Sequence, residues 1–149
     1  DFFKINYDGA VFLVENRSGI GVVIQNNRGL VVASLVQQLP HTFQAVKVKA
    51  MAACKAVEFG REIGVAKVIV EEDSTTVVKA LCSSDKGLTS YGWLVSDTAL
   101  YFGFFSESSY SHTVREGNRV AHSLTRQAVF FRDSTVWMED VPHITYFFV

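Results

Sequence analysis

Two cysteines among 149 residues are too few for a disulfide framework or a cysteine-rich metal site. Cys54 and Cys82 sit instead in apolar helical patterns, where buried free thiols are ordinary, and the expected setting is reducing and intracellular, nuclear or cytoplasmic. Strong charge of either sign is also lacking. The formal net charge is -1, so a nucleic-acid partner needs a local basic patch on a near-neutral body. No apolar run approaches the roughly 20 residues that cross a bilayer, and no basic stretch precedes a short apolar core at the N-terminus, so no membrane partner is expected. Internal repeats, low-complexity stretches and linkers are missing as well. What is present is a chain 48% hydrophobic and 19% charged, inside the globular range. At this length it most simply forms one domain that buries about two-thirds of its unfolded surface. Asp1 already adjoins a strand pattern, so a longer polypeptide is expected around the sequence.

The apolar periods give the element order. Phe2–Tyr7 alternates as a strand with one better-buried face and ends in Asp8-Gly9-Ala10. Ile20–Gln25 and Leu30–Val36 are predicted strands around Asn26-Asn27-Arg28-Gly29, a link whose asparagines and glycine suit the positive φ of a hairpin turn. From about Phe43 to Ile63, Val46, Ala50, Ala53, Cys54 and Val57 recur at helical spacing, and Gly64 is a natural terminator. Val68-Ile69-Val70 reads as a strand buried on both faces. A short helix follows with Val77, Val78 and Leu81 inward and Asp73 or Ser74 as its cap. Lys86–Thr89 is a predicted loop, Tyr91, Val95, Ala99 and Phe102 stripe a further helix, and Tyr110, His112 and Val114 alternate as a last strand. Val120, Ala121, Leu124, Ala128 and Phe131 stripe a long final helix with Asn118 as its N-cap. The tail 133–149 holds Trp137, Pro142 and Phe147 without a clear period and stays unassigned. The order is βββαβααβα: an α/β fold with a mixed five-stranded sheet, three antiparallel strands then parallel ones, flanked by helices.

Ligands of open α/β sheets gather beyond the carboxyl ends of such strands, where Asp73 closes the run Lys67–Ser74. On residue type alone, Asp8 and Asp73 serve as turn formers and helix caps. Alternation places Glu71 on Asp73's face and Glu72 on the other, and together they read as a solvated acidic strand end. His122 and His112 read as surface histidines, since no second histidine or cysteine stands at metal spacing.

Five stretches together resemble type 1 ribonuclease H, and more closely the plant ribonuclease H-like domains associated with retroelement-derived reverse transcriptases. They are Ile5–Ala10, Gly19–Gly29, Lys49–Gly64, Val68–Leu81 and His112–Ala128, in the family's order and across nearly the whole chain. The resemblance implies a ribonuclease H-like fold over residues 1–132. It also implies hydrolysis of the RNA strand of RNA–DNA hybrids by four carboxylates that hold two magnesium ions. The chemistry suits hard cations clamping the attacking and leaving oxygens of a phosphodiester.

Residue by residue, Asp8 matches the family's first carboxylate and Asp73 its third. Lys49 stands where the second, a glutamate, belongs, and His122 where the fourth, an aspartate, belongs. The resemblance therefore implies a degraded metal site, with magnesium weak or lost at Asp8 and Asp73. Phosphate contacts are expected at Asn118, Arg115, Arg119 and Lys49, for a hybrid or double-stranded RNA. Three functions follow: a weak nuclease, a non-catalytic nucleic-acid-binding domain, and a protein-interaction scaffold that keeps only the fold.

Overall fold

The computed structural model describes residues 1–82, 92–143, 145 and 149, with side chains of 80–82 left aside. The predicted loop Lys86–Thr89, Tyr91, Phe147 and the side chain of Cys82 lie outside the described residues. Strands β1 (Phe3–Phe12), β2 (Arg17–Gln25) and β3 (Val31–Leu39) form an antiparallel meander. Helix α1 (Ala45–Ile63) leads to β4 (Lys67–Glu72), which pairs parallel to β1. Helices α2 (Thr75–Cys82) and α3 (Gly92–Phe102) precede β5 (Glu107–His112), parallel to β4. A 3-10 turn over Arg115–Asn118 opens α4 (Arg119–Arg126), and β6 (Ser134–Met138) follows.

The sheet has six strands in the order β5-β4-β1-β2-β3-β6, one more than the pattern predicted. The additional strand comes from the unassigned tail: β6 pairs antiparallel with the outer edge of β3, from Ala33–Met138 to Gln37–Ser134. Its own residues alternate only weakly in burial, so the pairing, rather than a local period, defines it.

One face of the sheet packs against α1. Ile5, Tyr7, Val22, Ile24, Val68 and Val70 meet Ala52, Ala53, Ala56 and Val57 in one continuous core. The alanines allow close helix–sheet contact, and each fully buried Ile or Val side chain contributes about 1.5–3 kcal/mol. Gly64 closes α1 at φ 90, its N–H donating to the carbonyls of Gly60 and Arg61. The other face packs against α4, where Val23 and Val36 meet Ala121, Leu124 and Ala128. Gly21 makes that approach possible: a Cβ there would fall 2.5 Å from the backbone nitrogen of Thr125.

Several boundaries differ from the sequence reading. β1 continues through Asp8-Gly9-Ala10 to Phe12, because β2 stays in register with it from Gln25 to Arg17. β4 alternates in burial, with Val68, Val70 and Glu72 buried and Lys67, Ile69 and Glu71 partly exposed, because α4 lies over β1 and β2. The predicted long final helix is α4 followed by a 3-10 turn over Gln127–Phe130. No described helix is long and apolar enough to cross a membrane.

Candidate functional site

Pairing between β1 and β4 stops at Asn6 and Glu71. Just beyond that point three acidic side chains converge, Asp8 from β1, Glu72 from the end of β4 and Asp73 from the residue after it, with one carboxylate oxygen from each within 4.8 Å of the others. α1 delivers a fourth group to the same place. Val48 and Ala50, both buried, hold the helix against the sheet and leave Lys49 at its rim. The Lys49 Nζ lies 3.3 Å from Asp8, 3.6 Å from Glu72 and 3.6 Å from Asp73.

Glu72 departs most from the sequence reading. It is fully buried, at 0% exposure, rather than part of a solvated strand end. Strand alternation continues past Val70, so Glu72 takes the next position on the α1 face. The stripe Val68, Val70, Glu72 carries that signal in the sequence, but three β-preferring residues in succession, Val68-Ile69-Val70, mask the alternation. Burial first, then a hydrogen bond with Asp73 and the charge of Asp8, push the Glu72 carboxyl up to about 10, so it is protonated at neutral pH. That hydrogen bond holds Asp73 below the usual carboxylate range. Burial works against the Lys49 ammonium, yet the carboxyl groups around it, Asp8 foremost, outweigh the penalty and raise its pKa. Glu71 has a separate role, accepting from the Asn6 amide at 3.1 Å and pairing with Lys4 at 3.8 Å.

Several of the remaining polar atoms are also engaged, while Glu72 Oε2 and Asp73 Oδ1 are buried without a hydrogen-bond partner. Asp8 Oδ1 accepts the Gly9 N–H at 2.9 Å, and Asp8 Oδ2 lies 2.9 Å from His122 Nδ1. His122, read from sequence as a plain surface histidine, is thus bound to the cluster. Thr125 ties the same helix to β1, its hydroxyl donating to the Asp8 carbonyl at 3.1 Å. Glu72 Oε1 accepts the Ser74 N–H at 3.0 Å, and His112 Nε2 lies 3.2 Å from the Asp73 carbonyl.

Asn118 does not cap α4 with its side chain. It is buried, and its amide donates to the Tyr7 carbonyl at 2.9 Å while its oxygen accepts from Asn6 at 3.1 Å. It therefore fastens the turn before α4 to β1. Along the outer side of that helix, Arg115, Arg119, His122, Arg126 and Phe130 line one groove that reaches the cluster at His122. Among the described residues none of these three arginines lies in a salt bridge, although the charge of Arg115 helps to depress the pKa of Asp73.

Convergent carboxylates suit a hard divalent cation in residue type. The Lys49 ammonium, however, already lies 3.3 to 3.6 Å from all three side chains. A divalent charge 4 Å from an ammonium meets a repulsion of about 8 kcal/mol at an effective dielectric of 20. With Lys49 seated as it is, these residues do not fit a divalent metal.

A family model described as reverse transcriptase-like matches residues 6–128. No curated protein sequence matches the chain. Ribonuclease H1 from the halophilic archaeon Halobacterium salinarum NRC-1 is similar in structure, with a TM-score of 0.73 at 20% identity over 87% of this chain and 98% of that one. The N-terminal ribonuclease H domain of a Mycobacterium tuberculosis protein gives 0.76 at 19%, covering 87% and 94%. LC11 ribonuclease H1, solved in complex with an RNA/DNA hybrid, gives 0.75 at 19%, covering 86% and 96%. At these identities the solved structures speak for the fold. The family match over residues 6–128 and the six-stranded sheet together make the chain a member of the reverse transcriptase-like family with a ribonuclease H-like fold.

Proposed function

We propose that this domain binds nucleic acid, an RNA–DNA hybrid before double-stranded RNA, and that its hydrolysis of the RNA strand is weak or absent. The observation that carries the reading is the groove along α4. Three arginines outside any salt bridge among the described residues line it beside the exposed ring of Phe130, and it runs to Asp8 through His122. Arginine without a carboxylate partner is suited to phosphate, which it can grip with two parallel hydrogen bonds. The solved complex of LC11 ribonuclease H1 with an RNA/DNA hybrid supports the choice of ligand. The motif resemblance supports the plant, retroelement-derived type within the family. Weak hydrolysis rests on Lys49 and His122 at positions where the resemblance expects carboxylates, which leaves magnesium only a weak claim on Asp8 and Asp73.

The test is hybrid binding across salt concentration beside a cleavage assay in magnesium. Contacts from three arginines give a slope of log affinity against log salt of about -2 to -3, reduced by roughly one for each arginine replaced by alanine. Affinity that is absent or indifferent to salt removes nucleic acid from the reading. Robust magnesium-dependent cleavage, abolished by Asp8→Asn, refutes the loss of hydrolysis.

One observation favours the protein-interaction scaffold as a second reading. Leu13, Val14 and Phe130 are 80%, 95% and 82% exposed and border one shallow recess with Val129. An apolar rim of this kind suits a protein partner. Under that reading, replacing Leu13 and Val14 with serine abolishes partner binding and leaves hybrid affinity unchanged.

A further inference from the structure

We propose that the Lys49 ammonium is the resident cation of this cleft, built into the chain in place of a divalent metal, and that it makes the site indifferent to magnesium and manganese. The inference stands apart from the nucleic-acid reading, because it concerns only what occupies the carboxylate cluster.

Geometry supports it first. The three carboxylate oxygens lie within 4.8 Å of one another, and the Nζ lies 3.3 to 3.6 Å from each side chain. A single cation shared by three carboxyl groups is the arrangement of a bound metal ion, with nitrogen at the centre instead. The placement of the lysine is also constrained. Its neighbours Val48 and Ala50 are buried at 0% and 2% exposure, so the backbone at position 49 cannot turn the side chain onto another face of α1 without exposing them. Its own side chain is only 25% exposed.

Part of the ligand set is then spoken for, with Glu72 Oε2 and Asp73 Oδ1 left without a hydrogen-bond partner. Asp8 Oδ1 serves the Gly9 N–H and Lys49, Asp8 Oδ2 serves His122, and Glu72 Oε1 serves the Ser74 N–H and Lys49. A divalent ion entering here must displace the ammonium, which the chain itself tethers at the site. The same tether removes any dependence of the cleft's geometry on metal supply. Lys49 thus holds β1, the end of β4 and α1 together as a structural ion would.

The experiment is manganese titration of the wild-type chain and of Lys49→Glu, Lys49→Met and Lys49→Arg, followed by paramagnetic broadening of the amide resonances of Asp8, Glu72 and Asp73. Sodium chloride of matched ionic strength serves as the reference. Thermal unfolding with and without magnesium gives a second readout that needs no enzymatic activity. Wild type and Lys49→Arg should show no saturable broadening and no magnesium-dependent rise in Tm. Lys49→Glu and Lys49→Met should bind manganese at least about tenfold more tightly than wild type and gain Tm from magnesium. Lys49→Met keeps the test open if Lys49→Glu does not fold. Saturable, site-specific broadening in the wild type overturns the proposal. So does silence in both Lys49→Glu and Lys49→Met, since another feature would then be excluding the metal.

Discussion

At the scale of single residues, the cluster depends on how one proton and one ammonium are distributed among three carboxyl groups. Glu72 titrates near 4.5 in the unfolded chain and at about 10 in the folded one. The folded state therefore binds more protons between these values, so this group's contribution is fully present below 4.5 and is lost as pH rises toward 10. Asp73, with its pKa lowered, acts in the opposite sense below 3.8, and Lys49, raised, acts above 10.5, so neither interferes near neutrality. Stability of the wild type should fall with pH from about 5 to about 9 through this group, while Glu72→Gln, which keeps the shape and cannot titrate, should flatten the slope. Urea unfolding across that range measures it, and equal slopes in both proteins would show that Glu72 is ionised in the folded state. Legibility at this scale was uneven. Asp8, Asp73, Lys49 and His122 were picked out by motif position, and all four meet in one place. Glu72 and the true partners of Asn118 were not, because burial and a contact 111 residues away in sequence leave no local mark.

At the scale of elements, the approach of α4 to the sheet places His122 against Asp8. Asp8 is paired with Gly21 across β1 and β2, and Gly21 sits beneath Ala121 and Thr125 of α4. A methyl group there would lie 2.5 Å from the Thr125 nitrogen and 2.7 Å from the Ala121 carbonyl oxygen. Gly21→Ala should therefore push the helix outward, costing about 1–3 kcal/mol as overpacking does. Chemical unfolding and the loss of the His122–Asp8 contact, seen as a change in the His122 ring resonances, measure the two consequences. Unchanged stability with His122 still bound to Asp8 would mean that the helix has slack at this crossing. Most elements were legible from period and punctuation: α1 ends at Gly64, and the β2–β3 turn is closed by Gly29 at φ 79. The extension of β1 past Asp8 was not, because Gly9-Ala10 reads as a turn until β2 pairs with it.

At the scale of the whole molecule, Ser134–Met138 of the unassigned tail belongs to the sheet. β6 covers the edge of β3, Trp137 meets Phe131 edge to face at 5.3 Å, and the Ser34 hydroxyl donates to the Asp140 carbonyl. The Gln127 side-chain amide donates to the Thr145 hydroxyl. A chain ended after Arg132 should thus unfold at lower temperature and associate through the exposed β3 edge, as unpaired edges do. Light scattering and a thermal melt test this, and a monomer of unchanged Tm would show that residues 133–149 add nothing to the domain.

The sequence by itself determined the order of elements as far as α4, the family resemblance and the identity of the side chains at the site, because periodicity and motif spacing are local properties of the chain. Only the tertiary structure decided what those side chains do together. Whether Lys49 turns outward or sits among the carboxylates, whether Glu72 is solvated or holds a proton, and whether the tail is a strand all depend on what lies across space. Burial, Coulomb energy and strand pairing are set by distances that the linear chain does not contain.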